Sequence, residues 1–72
     1  MLNYDIGQSF TLKDDIAMSE GYENLMMTRD TEATIVYAKE GVEFPYLVKF
    51  SNPYYEIAMK EEEIDIYFNI KS

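Results

Sequence analysis

A chain of 72 residues has room for one small domain, read here as spanning 1–72. Fourteen Asp and Glu against six Lys and Arg leave a formal charge of −8, while seven Tyr and four Phe mark a chain that folds rather than an acidic disordered tail. With no Cys and no His, disulfides, Cys/His zinc sites and Ser–His or Cys–His nucleophiles are excluded, and the negative field disfavours nucleic acid and anionic membranes as partners.

The first residues, Met1-Leu2-Asn3-Tyr4-Asp5, lack the cationic and apolar regions of a secretory signal. No apolar run approaches the ~20 residues that span a bilayer. The expectation is a cytoplasmic protein.

Ile6 to Leu12 read as a short strand with Ile6, Phe10 and Leu12 on one face, and Gly7 marks a bulge or close backbone approach. Lys13 to Thr31 predict a long, partly helical connection. Asp14 or Asp15 caps a turn carrying Ile16 and Ala17, Ser19-Glu20-Gly21 breaks it, and Tyr22, Leu25 and Met26 recur at helical spacing. This connection lays Met18, Leu25 and Met26 or Met27 over the core.

Ala33 to Ala38, rich in β-branched residues, predict a second strand, and Lys39-Glu40-Gly41 a turn. Phe44 to Phe50 alternate, with Phe44, Tyr46, Val48 and Phe50 on one face and Pro45 near the strand's start. Ser51-Asn52-Pro53 is a turn by composition. Tyr54 to Met59 predict another strand, with either Tyr55, Ile57 and Met59 or Tyr54 and Ala58 inward. Lys60 to Glu63 read as a solvated turn or a single helical turn, and Asp65 to Ile70 as a closing strand with Ile66, Phe68 and Ile70 alternating. Tyr37, Tyr46 and Tyr55 are expected in the core, Tyr4, Tyr22, Tyr54 and Tyr67 nearer the surface. The fold class is therefore mainly β: a small five-stranded barrel or bent antiparallel sheet with a long, partly helical first loop.

The segment Tyr4-Asp5-Ile6-Gly7-Gln8-Ser9-Phe10-Thr11-Leu12 resembles the opening strand of small SH3-like β-barrels. The order of the later elements is similar to theirs too: a long loop, a hairpin like 33–37 with 46–50, a short strand like 55–59 and a helical turn like 61–66 before the last strand. The resemblance implies that fold and, for single-domain chains, an origin among phage or mobile-element products of Gram-positive bacteria. Peptide-binding relatives carry a groove with a Trp, which is missing here. Nucleic-acid-binding members carry basic loops, where this chain has acidic ones.

No phosphate-cradling glycine motif is present. Asp14-Asp15 and Glu61-Glu62-Glu63 lack calcium-loop spacing, and neighbouring carboxylates diverge on a strand or helix, so a metal cage is not expected. A solvated turn accounts for 61–63 taken alone. The whole chain suggests more, since carboxylates occur in every connection and, gathered on one face, would imitate a phosphate row. The expectation is a non-enzymatic module without cofactor or metal, an inhibitor of the anti-CRISPR kind. By DNA mimicry it would occupy the basic nucleic-acid site of a host protein such as a defence nuclease. Its candidate contact set is Asp14, Asp15, Glu20, Glu23, Glu40, Glu43, Tyr54, Glu61, Glu62 and Glu63. Neither nucleic acid nor membrane is an expected direct partner. The alternative is a small structural or scaffolding domain that self-associates, for example as a homodimer, with its acidity serving solubility.

Overall fold

The computed structural model describes residues 2–20, 23–51 and 54–70. Along the chain come β1 (Ser9–Leu12), β2 (Ile16–Glu20), β3 (Glu23–Met27), β4 (Glu32–Ala38), β5 (Tyr46–Ser51), β6 (Tyr54–Met59), α1 (Glu61–Tyr67) and β7 (Phe68–Ile70). The protein is mainly β. One antiparallel sheet has five strands in the order β6-β5-β4-β1-β7, and β2-β3 form a separate two-stranded sheet. Among the described residues β6 and β7 are the open edges of the larger sheet. No helix is long and apolar enough to cross a membrane among the described residues.

Period-two alternation builds the centre. Tyr46, Val48 and Phe50 of β5 are fully buried, and β6 turns Tyr55, Ile57 and Met59 to the same side. Tyr4, Phe10, Leu12, Met27, Ala33, Ile35, Ile64 and Phe68 complete the core. Its aromatic rings meet edge-on or tilted, Tyr4 to Phe10 at 5.2 Å and Phe10 and Phe50 each to Phe68 at 5.8 Å. Each fully buried large side chain contributes roughly 1.5–3 kcal/mol, so this cluster carries most of what holds so short a chain folded.

The connection from Lys13 to Thr31 is a β-hairpin, not a partly helical loop. Register sets Ile16 opposite Met27 and Met18 opposite Leu25, an alternation of period two rather than 3.6. Met27 is fully buried and Met26 is 58% exposed, so of the two methionines offered it is Met27 that reaches the core. Gly21 and Tyr22 lie outside the described residues, as do Asn52 and Pro53 of the expected turn before β6.

Other corrections have local causes. Ile6 is 61% exposed because Gly7, at φ +92°, and the Gln8 N–H to Asp5 carbonyl bond make a turn before β1 begins. Phe44 precedes β5 in the turn that the Lys39 N–H closes on the Pro45 carbonyl, and it is exposed with the Lys60 ammonium 5.3 Å from its ring. Tyr37 faces out because a bulge between Ile35 and Tyr37 shifts the β4–β5 register. Tyr4 is in the core instead.

The expected closing strand at Asp65 is still helix. Three glutamates in the first turn suit the helix dipole, and Glu63 Oε1 accepts the Lys60 N–H at 2.9 Å. Helical geometry buries Ile64 and turns Ile66 to solvent at 64% exposure. Phe68 then switches to extended backbone and β7 starts without a loop.

Candidate partner-binding surface

Three consecutive N-terminal residues gather carboxylates from distant parts of the chain. The Leu2 N–H donates to Glu40 Oε1 at 3.0 Å, the Asn3 side-chain amide donates to Glu61 Oε1, and the Tyr4 hydroxyl donates to the Asp65 carboxylate. The same strap is fixed from below, because the Asn3 and Tyr4 N–H groups both donate to the Tyr46 hydroxyl, at 3.1 and 3.3 Å. Leu2 and Tyr4 Cα atoms are at most ~7 Å apart. Glu40, Glu61 and Asp65 are therefore held around one short segment.

At the start of α1, Lys60 links two more. Its ammonium lies 3.9 Å from Glu43 Oε1 and its N–H binds Glu63. At the far end, Asp14 and Asp15 border a depression of about 230 Å³ with Ile66 and Tyr67. The Lys13 N–H donates to the Tyr67 carbonyl and its ammonium to the Asp65 carbonyl, both at 2.9 Å, which ties that loop to α1. Asp15 Oδ1 accepts the Arg29 N–H at 2.7 Å. Helix α1 is thus the spine of an acidic band. Glu40 and Glu43 lie at one end and Asp14 and Asp15 at the other, while along the helix Glu61 and Asp65 face the strap, Glu62 faces solvent and Glu63 borders the depression lined by Ile16 and Tyr55.

The expected contact set is only partly united. Tyr54 points outward from β6, on the side opposite Tyr55 and Ile57, and its hydroxyl donates to Glu56. Glu20 and Glu23 face each other in the register at the tip of the β2–β3 hairpin, and their side chains lie outside the described residues. Glu32 and Glu56 are exposed on the outward face of the larger sheet, Asp5 and Asp30 are exposed next to the strap and to Arg29, and Lys13 and Lys60 sit within the band. Asp65 was missed because a strand reading hides it; the four-residue spacing from Glu61 to Asp65 was the available signal.

Two tyrosines are held protonated by their acidic neighbours. The hydrogen bond to Asp65, then burial, then the charges of Asp65 and Glu61 push the Tyr4 hydroxyl up to about 12. The bond to Glu56 raises Tyr54 in the same direction. Among the described residues no three carboxylates are grouped to hold a metal ion. The chain matches no family model, no curated protein and no solved structure.

Proposed function

We propose that the protein is a non-enzymatic acidic module that occupies the basic nucleic-acid-binding site of a larger protein, such as a defence nuclease. The observation behind this reading is the band along α1, where carboxylates from three separate segments gather around one short helix. Seven helical residues cover about 10 Å, which equals roughly three base-pair rises along the DNA axis. The flanking Asp14, Asp15, Glu40 and Glu43 lengthen the row at both ends. Strap and capping bonds hold several of these charges in place, so less ordering entropy is lost on binding. The likeness to small SH3-like barrels, and the phage or mobile-element origin it implies, are part of this proposal and rest on the order of elements, with a hairpin after β1 and a helix before β7.

The test is displacement of a labelled DNA duplex from a panel of basic nucleases and repair enzymes of a Gram-positive host. Wild-type protein displaces the duplex from at least one of them, more weakly as salt rises. Glu43→Lys with Glu62→Lys removes the effect, and the charge-matched control Glu32→Lys with Glu56→Lys, on the sheet face turned away from α1, keeps it. Equal loss in both double variants, or no displacement from any panel member at low salt, refutes the reading.

A further inference from the structure

The outer face of β4–β5–β6 has no role in the acidic band. Cross-strand register sets Tyr37 opposite Leu47 and Leu47 opposite Ala58, a row of apolar side chains turned away from the core. Tyr37 is 54% exposed, and Val36 at the bulge is exposed beside it. Ile64 of α1 lies in the core on the other side of the sheet, and Ile16 of β2 and Tyr67 of α1 border a depression with Tyr55, Ile57 and Met59, the inward residues of β6.

Charge selects the occupant. One step along from the apolar row, Thr34 stands opposite Lys49 and Lys49 opposite Glu56. Tyr54 joins the two charges, with the Lys49 ammonium 5.4 Å from its ring and its hydroxyl bound to Glu56. On a chain of net charge −8, this face is balanced one to one where the three strands pair. Glu32 lies beyond the β4–β5 ladder. Two copies repel through their acidic bands, but not through this face.

We infer that the outer face of β4–β5–β6 binds a second copy of the chain in a two-fold dimer. An axis parallel to the strands, between β5 and β6, lays Lys49 of each copy on the partner's Glu56 and Leu47 on the partner's Ala58. The contact is self-complementary in charge and matches a large side chain to a small one, as an isologous interface requires. Tyr37 then reaches past the partner's β6 edge and covers it, protecting an otherwise open strand. Both acidic bands stay outside the seam, so the dimer and the proposed inhibitory surface are independent.

Sedimentation velocity from about 5 to 500 µM tests this. Wild-type protein moves from monomer to dimer, and association tightens as NaCl rises from about 0.01 to 0.15 M because the repulsion between like-charged copies is screened. Lys49→Glu and Glu56→Lys each weaken self-association at least tenfold. An equimolar mixture of the two restores a dimer, because each reversed charge meets its opposite in the other chain. Circular dichroism confirms that both variants are folded. A wild-type monomer at about 500 µM, wild-type-like dimers of either single variant, or a mixture that stays monomeric would each overturn the inference. Loss of DNA displacement with the dimer intact leaves this inference standing and removes only the proposed function.

Discussion

Tyr4 joins the core to the acidic surface within one side chain. Its ring packs against Phe10 and Tyr46 at 5.2 and 5.7 Å, while its hydroxyl binds Asp65. Tyr4→Phe keeps the ring contacts and removes only the donor, so a loss of about 1 kcal/mol in urea unfolding is expected. The pH dependence has a definite sign. Below pH 10 the hydroxyl is protonated in both folded and unfolded chains, and the Asp65 bond contributes fully. From the ordinary value of 10 to the folded value of about 12, the unfolded chain ionises first and the contribution disappears. The stability gap between wild type and Tyr4→Phe should therefore be constant from pH 7 to 9 and close above pH 10. A gap that widens with alkali contradicts the assignment. The neighbouring core is less forgiving: Phe50→Ala removes a fully buried ring packed on Phe68 and Tyr55. Its expected cost of about 3–5 kcal/mol is enough to unfold most of the population of so small a domain, visible as lost near-ultraviolet dichroism.

At the level of elements, β4 combines regular alternation with one interruption. Deleting Val36 closes the bulge and leaves every remaining partner in place, because Tyr37 then follows Ile35 directly and still meets Leu47. That variant should stay folded with a loss of about 1–3 kcal/mol, the usual range for a disturbed but intact strand pair. Deleting Leu47 instead shifts the β5 register by one and turns Tyr46 out of the core. It should not fold, and thermal melts of the two deletions separate the cases. The contrast shows what was legible in the sequence. Tyr46, Val48 and Phe50, and Tyr55, Ile57 and Met59, announced their strands because neighbours on both sides keep a period of two. Tyr37 belongs to the same kind of run, yet a single extra residue reversed its face, and nothing in Ile35-Val36-Tyr37 marks a bulge. Asp65 and Ile66 went astray because an apolar residue at every second position from Ile64 to Ile70 also fits a helix that ends at Tyr67. The carboxylates of the candidate surface were visible as residue types. Their convergence was not, since Glu40, Glu61 and Asp65 meet only through the N-terminal strap.

On the scale of the whole molecule, the charge imbalance acts on folding as well as on partners. The Cα extents are 33 × 29 × 19 Å. At about 0.01 M ionic strength the Debye length is about 30 Å, so almost every carboxylate repels every other across the entire body. At about 0.15 M it shrinks to about 8 Å, and only close neighbours, such as those along the α1 band, still interact. The unfolded chain spreads the same charges over a larger volume, so salt favours the folded form. Raising NaCl from about 0.01 to 0.5 M should raise Tm by several degrees, corresponding to roughly 1 kcal/mol on the scale of about 4–8 °C per kcal/mol for a domain of this size. Measured at a few micromolar, where self-association is weak, the shift reports the monomer. Asp5→Lys lowers the repulsion by two charges at an exposed site before β1, so its Tm should exceed that of wild type at low salt and approach it at high salt. A wild-type Tm that is flat or falls with salt means that the carboxylates are already compensated by their cations. In that case the one-sided field on which acidic mimicry depends is too weak to direct binding.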